Sequence, residues 1–193
     1  MVLVDAGGSN LGSVRHALAR LGIDAELTRD AARIRAATHV ILPGVGAAGP
    51  GMARLQACDL VDVLCSLEQP VLGICLGMHL LFEHSEEGDI ACLGVIRGRV
   101  RRLAEPRGCR VRHIGWNQLL ALRDDPLVRG LADPVHAYFV HSYAAAVDTH
   151  TLAKAEHGMP FAAVVRERNF VGMQFHPERS GSVGAALLAR FLA

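Results

Sequence analysis

Apolar residues in the first half of the chain form short continuous runs separated by stretches with helical spacing. The runs "MVLVD", "THVILP" and "VLGI" are short and bounded by glycine or proline, which is typical of buried strands. Between the first two runs, residues 11–21 carry apolar side chains three or four positions apart, and this pattern stops at Gly22. Short strands alternating with helices predict a mostly parallel sheet that is covered on both faces.

The second half of the chain is richer in strand patterns. The stretches "LGVIRGRVRRL", "CRVRHIGW" and "HAYFVHSYAA" predict strands joined by turns, without a long helix between them. One more strand, "FVGMQF", precedes an amphipathic closing helix in "SVGAALLARFLA". We therefore expect an antiparallel extension of the sheet. Since no linker, repeat or low-complexity segment interrupts the pattern, we predict one α/β domain over residues 1–193.

Composition excludes several classes of function. The chain of 193 residues has a formal net charge of +1, which indicates neither a nucleic-acid-binding surface nor an acidic tail. No basic leader opens it, and no apolar run is long enough to span a membrane, so we expect no membrane association. Five cysteines without a C-x-x-C pair predict reduced thiols in a cytoplasmic protein, with no disulfide framework and no metal site. They lie at positions 58, 65, 75, 92 and 109.

One cysteine stands where a strand becomes a helix. Gly73 and Gly77 lie two residues either side of Cys75, and we predict a helix from about Cys75 through "LGMHLLFE". This is the pattern of a nucleophile elbow, in which a sharp turn leaves the nucleophile standing at the end of the strand. The helix dipole there favours a thiolate, and the N–H of Leu76 would point at an oxyanion formed on the substrate. The alternative is a small buried cysteine at a junction where the glycines serve packing alone.

A nucleophilic thiol needs a base, and the chain has two main candidates. His176 ends a predicted strand, is held extended by Pro177, and has Glu178 two residues later to fix its tautomer. His79 lies one helical turn after Cys75 but has no evident carboxylate beside it. We interpret His176 as the base and His79 as part of a pocket wall; two further histidines, at 113 and 141, stay open as candidates.

These residues resemble a known family. The pattern "GICLGM" with a distant "QFHPE" is similar to the class I glutamine amidotransferases, which hydrolyse glutamine to glutamate and ammonia. Within this class, "LPGVGAAG", "HIGWNQL" and "YFVHSY", in this order, resemble the glutaminase subunits of imidazole glycerol phosphate synthases. The resemblance runs from the first strand to the last helix and implies a flavodoxin-like three-layer sandwich. It implies no cofactor.

Carried onto this chain, the resemblance implies a triad. Cys75 would be the nucleophile, His176 the general base and then acid, and Glu178 the residue that orients it. The implied oxyanion hole consists of the backbone N–H of Leu76 and one N–H of the "PGVG" loop, at Val45 or Gly46. Glycines flank Val45, so its peptide can rotate at little cost and present or withdraw an N–H.

The resemblance also implies contacts to the substrate. Glu87, twelve residues after the nucleophile, matches a contact to the glutamine amino group, although it could equally be a solvated residue at a helix end. Ser142 matches the region that holds the glutamine carboxylate. His79 departs from the family, which usually has glutamine at this position of the substrate pocket.

The implied partner is a (βα)8-barrel cyclase. This cyclase receives ammonia through an internal channel, forms a heterodimer with the glutaminase, and makes imidazole glycerol phosphate and aminoimidazole carboxamide ribotide in histidine biosynthesis. Asn10, Trp116 and Arg179 match segments that face the barrel; the family usually has lysine in place of Arg179. The stretch "DAGGSN" lacks the aromatic residue that the family usually carries there, which alters the details of docking.

Three other functions compete with this one. A glutaminase of anthranilate or aminodeoxychorismate synthase usually has "LGHQ" after the cysteine, whereas this chain has Met78 and then His79. A catalytically silent binding subunit is disfavoured by the complete Cys, His and Glu set. A nucleotide-binding loop at "DAGGSNLGS" satisfies neither G-x-G-x-x-G nor the Walker pattern.

Overall fold

The computed structural model describes residues 1–5, 10–104, 111–131 and 134–193. Its strands are β1 Val2–Val4, β2 Glu26–Thr28, β3 Val40–Gly44, β4 Val71–Cys75, β5 Phe82–Ser85, β6 Ile90–Ala91, β7 Ile96–Arg102, β8 His113–Ala121, β9 Val135–His141, β10 Tyr143–Ala145, β11 Thr151–Glu156, β12 Pro160–Glu167 and β13 Phe170–Met173. Its α-helices are α1 Leu11–Arg20, α2 Ala31–Ala36, α3 Ala48–Ala57, α4 Val61–Cys65, α5 Leu76–Leu81 and α6 Gly181–Phe191, with a 3-10 helix over Pro177–Arg179.

A nine-stranded mixed sheet runs through the molecule in the order β2-β1-β3-β4-β13-β12-β11-β8-β9. The first five strands in this order are parallel to one another. The remaining strands continue the sheet in antiparallel fashion. The α/β class, with a parallel sheet and an antiparallel extension, is therefore confirmed.

Helices cover both faces of the parallel part because its strands are apolar on both sides. In β4, Leu72 and Ile74 pack on the face covered by α1 and α6, whereas Val71 packs on the other face. That second face is covered by α2, α3, α4 and α5, which contribute Leu55 and Leu80 among others. The three layers follow from this alternation.

The helix after Cys75 is shorter than the sequence predicts. It ends at Leu81, and Phe82 begins strand β5 instead of continuing the helix as the apolar pattern suggests. Phe82 is fully buried and extended, and it pairs with Ile96 of β7. Long-range strand pairing thus ends the helical pattern of the preceding apolar residues, because it buries the aromatic side chain and satisfies its backbone.

The prediction that all the later strands extend one sheet was wrong in part. Strands β7 and β10, from "LGVIRGRVRRL" and the end of "HAYFVHSYAA", form a separate four-stranded sheet in the order β10-β7-β5-β6. Ser142 separates β9 of the large sheet from β10 of the small one. In the described part of the chain, no helix is long and apolar enough to cross a membrane.

Candidate active site

Cys75 occupies a strained turn between β4 and α5. Its φ of 52° and ψ of −107° lie outside the regions that non-glycine residues usually adopt. The flanking glycines make the turn possible because the helix packs directly on neighbouring backbone. A Cβ on Gly77 would lie 1.8 Å from the carbonyl oxygen of Leu42, and one on Gly73 would lie 2.6 Å from the Gly77 backbone.

His176 and Glu178 meet Cys75 at the carboxyl end of the parallel strands. Glu178 Oε1 accepts a hydrogen bond from His176 Nδ1 at 2.8 Å. Cys75 lines the same cavity as His176, and its Sγ lies 3.8 Å from the carbonyl oxygen of Val140. The Glu178 side chain is inaccessible to solvent. It accepts a second hydrogen bond, at 2.7 Å, from the side-chain amide of Asn10. Asn10 therefore holds the carboxylate from a position far away along the chain.

The charges in this group stabilise one another. Burial alone lowers the pKa of His176, but hydrogen bonds and charge attraction from Cys75 and Glu178 outweigh it and raise the pKa to about 10. Burial opposes ionisation of Glu178, yet the bonds from His176 and Asn10 hold its pKa below its usual value. At neutral pH the imidazole is therefore protonated, with Nδ1 hydrogen-bonded to Glu178.

A cavity of about 380 Å³ opens onto Cys75 and His176. Its walls contain every sequence-predicted catalytic, oxyanion-hole and substrate-binding residue except Glu178, which lies behind His176. Of the remaining lining residues, His141 had stayed open as a candidate base, and three were not predicted from the sequence: Arg112, Val140 and Tyr143. The site combines the buried thiol of Cys75, the protonated imidazole of His176 and a polar wall. This combination suits acyl transfer from a small polar substrate.

Comparison with known proteins identifies the family. The family model described as Glutamine amidotransferase class-I matches residues 2–193. The chain belongs to the class I glutamine amidotransferases.

Relatives within this family are similar over the whole chain. The imidazole glycerol phosphate synthase subunit HisH of Xanthomonas axonopodis pv. citri is 56% identical over 192 residues, which are 100% of this chain and 96% of that protein. The HisH subunit of Xylella fastidiosa (strain Temecula1) is 53% identical with the same coverage.

Solved structures support the fold of this glutamine amidotransferase. A crystal structure described as a glutamine amidotransferase aligns with a TM-score of 0.74 at 22% identity, covering 99% of this chain and 96% of that one. A glutamine amidotransferase from Thermotoga maritima aligns with a TM-score of 0.61 at 19% identity, covering 99% of this chain and 80% of that one. At these identities the likeness concerns the fold alone.

The loop after β3 faces the nucleophile of this glutamine amidotransferase. Val45 and Gly46 line the cavity, and Gly46 has a φ of 98°, which glycine adopts without strain. Glu87 anchors the start of the next helix, because its Oε2 accepts a hydrogen bond from the N–H of Ala48 at 3.0 Å. Burial raises the pKa of Glu87, and the bond from Ala48 partly offsets this effect. Glu87 is therefore more than a solvated helix end.

His79 is held by a partner that sequence reasoning missed. Its Nε2 lies 2.8 Å from Oε1 of Gln174, which is fully buried two residues before His176. The burial lowers the pKa of His79 to about 4 despite this hydrogen bond, so the ring is neutral at physiological pH. The sequence did carry a signal that Gln174 belongs to the site. It lies two residues before His176 in the strand pattern "VGMQF", and side chains two residues apart in a strand share a face.

Of the other two histidines left open by the sequence, His141 lines the cavity and His113 contacts it from behind. His141 Nδ1 donates to the carbonyl of Tyr143 at 2.9 Å, and its Nε2 lies 2.9 Å from Nδ1 of His113. Burial lowers the pKa of His113 to about 4 and that of His141 to about 3. Both rings are neutral, and their hydrogen bonds to each other tie β8 to β9 rather than reaching the thiol.

The predicted partner-facing residues have different surroundings. Trp116 is 58% exposed on β8, with its ring centroid 6.0 Å from that of Tyr138. The guanidinium of Arg179 is exposed and stacks 4.6 Å from the same tyrosine ring. Asn10 directs its amide inward to Glu178. Sequence reasoning missed Tyr138, which joins the two exposed side chains into one patch.

Proposed function

We propose that this chain is the glutaminase subunit of an imidazole glycerol phosphate synthase and acts as one catalytic domain. The observation that carries the proposal is the convergence of Cys75 with the hydrogen-bonded pair of His176 and Glu178 at one cavity. Similarity to HisH subunits over 100% of the chain supports the particular synthase.

The reaction begins with attack by the sulfur of Cys75 on the side-chain carbonyl carbon of glutamine. His176 carries the proton at neutral pH and delivers it to the departing nitrogen, so ammonia leaves and a thioester remains. The neutral imidazole then takes a proton from water as that water attacks the thioester. Glutamate is released, and the proton returns to the Cys75 and His176 pair.

Negative charge develops on the substrate oxygen during both steps. The backbone N–H of Leu76, at the start of α5, and a peptide N–H at Val45 or Gly46 stabilise this charge. Rotation of the Val45 peptide between its flanking glycines would present or withdraw one donor. This gives the cyclase a physical means to regulate the glutaminase.

Substrate binding uses the cavity walls. Glu87 offers a carboxylate for the α-ammonium group of glutamine, and Ser142 lies at the segment for the α-carboxylate. His79 stays neutral through its burial, so it can face a cationic ammonium group without charge repulsion.

The partner in this proposal is a (βα)8-barrel cyclase that takes up the ammonia and forms imidazole glycerol phosphate and aminoimidazole carboxamide ribotide. The exposed side chains of Ile114, Trp116 and Arg179 support a docking surface here, because tryptophan and arginine are enriched in interfaces. The surface lies close to the triad: the backbone carbonyl of Tyr138, under Arg179, accepts a hydrogen bond from the backbone N–H of His176.

We place the complex in the cytoplasm, where free thiols stay reduced. The free thiols in the described residues are those of Cys58, Cys65, Cys75 and Cys92; Cys109 lies outside the described residues.

The test separates glutamine hydrolysis from synthesis. In the complex with the cyclase, Cys75→Ala should abolish glutamine-dependent synthesis and leave ammonia-dependent synthesis intact. Cys92→Ala is the matched control: burial raises the pKa of the Cys92 thiol to about 11, so this group is no nucleophile at neutral pH and its loss should preserve turnover. Glutaminase activity near wild type in the Cys75 variant would refute the proposal.

A further inference from the structure

The cavity beside Cys75 contains a positive charge that the proposed chemistry does not use. Arg112 lines this cavity together with Ser142 and Glu87. In the part of the chain that the structure describes, its guanidinium has no carboxylate partner and no hydrogen bond. The other cation at the cavity, His176, is already engaged by Cys75 and Glu178.

The fold holds Arg112 next to the substrate segment. The following residue, His113, pairs with His141 across β8 and β9, and the two rings are hydrogen-bonded at 2.9 Å. His113 also stacks on Phe139 with 4.9 Å between ring centroids. His113 and His141 form the last pair of this register, and their chain neighbours Arg112 and Ser142 both line the cavity. The backbone that carries the guanidinium is thus anchored on a buried cluster.

Glutamine carries two opposite charges on its α-carbon. A cavity that binds it through both charges needs an anion for the ammonium group and a cation for the carboxylate, placed on different walls. Glu87 supplies the anion, from the segment between β5 and β6. Arg112 supplies a cation from the start of β8, and the planar fork of guanidinium matches a carboxylate with two parallel hydrogen bonds.

We propose that Arg112 binds the α-carboxylate of glutamine, so that the cavity selects its substrate through both charges of the zwitterion. The inference rests on the proposed glutaminase function. Because the α-carboxylate does not change during the reaction, this contact is made equally in the ground state and the transition state. Losing it should therefore raise KM and leave kcat nearly unchanged.

The experiment compares two substrates in the complex with the cyclase. One is L-glutamine, and the other is 4-aminobutanamide, which has the same amide and amino group but no carboxylate. For Arg112→Gln we expect kcat/KM for glutamine to fall about 10- to 100-fold through KM, the range for a hydrogen bond to a charged group. The value for 4-aminobutanamide should not change. Arg112→Lys should recover part of the loss, because it keeps the charge without the fork.

A matched control is Arg35→Gln, which removes an exposed arginine from α2, on an element that does not line the cavity. It should leave both substrates unaffected. Equal losses on the two substrates, or no loss on glutamine, would overturn the role of Arg112 while leaving the proposed function intact. A wild-type complex that does not hydrolyse glutamine would overturn both.

Discussion

The buried ring of His79 should lower the stability of the folded protein in acid, and substituting His79 should remove this contribution. His79 is 4% exposed, and its pKa in the folded protein is about 4, against an ordinary value of 6.5. Below pH 6.5 the unfolded chain takes up a proton on this ring, whereas the folded chain does not until the pH approaches 4. The unfolded state then binds more protons, so stability falls as the pH falls through this window.

The size of the effect follows from the two pKa values. At pH 4.5 nearly every unfolded molecule carries the proton and most folded molecules do not. Linkage then gives a loss of about 2 kcal/mol in the free energy of unfolding between about pH 7 and pH 4.5 from this side chain alone. His79→Gln restores the residue that the family usually has and removes the titrating group. Its amide can still donate a hydrogen bond to Gln174.

The assay is urea denaturation followed by circular dichroism at pH 7 and pH 4.5, for the wild type and His79→Gln. His113 and His141 also have lowered pKa values, so both proteins should lose stability in acid, but the variant should lose about 2 kcal/mol less. The comparison of the two losses does not depend on how the substitution changes stability at pH 7. As a control, His16→Gln removes an exposed ring from α1 and should parallel the wild type. Equal losses in the wild type and the His79 variant would refute the argument.

Two further substitutions test the elbow and the triad. Gly77→Ala should destabilise the protein by at least about 2 kcal/mol in urea denaturation, because its Cβ would lie 1.8 Å from the carbonyl oxygen of Leu42. The control, Gly12→Ala, should be neutral or slightly stabilising, because nothing lies within 4 Å of the added Cβ. A similar effect of both substitutions would contradict the packing argument. Glu178→Gln keeps the shape of the side chain but removes the negative charge beside His176, so the pKa of that ring should fall from about 10. The basic limb of the pH–rate profile should then move to lower pH, and kcat should drop about 10²- to 10⁴-fold. An unchanged basic limb would argue against the charge pairing.

Local patterns predicted much of this architecture. Strands β1, β3 and β4 appear in the sequence as short apolar runs, and α1 appears as apolar residues at helical spacing. Both patterns involve only residues close together in the chain. The glycines around Cys75 likewise marked the elbow, because the sharp turn and the close approach of α5 to β3 exclude a side chain. Such features are readable from a few consecutive residues.

The end of α5 was not readable in this way. Phe82 fits a helical pattern as well as a strand, and only its pairing with Ile96 decides between them. The same pairing creates the second sheet. Phenylalanine by itself favours a strand, but the apolar pattern of the residues before it continues a helix, so the long-range contact determines the result.

By itself, the sequence determined the α/β class, the elbow with its cysteine, and the histidine and glutamate that share one short motif. Only the tertiary structure decided which distant groups complete the site. Asn10 reaches Glu178, Gln174 holds His79, and Arg112 joins the cavity from the residue before β8, where His113 pairs with His141 of β9. The physical reason is that hydrogen bonds and charge depend on separations of a few ångströms, and these are set by strand order and register rather than by neighbours along the chain.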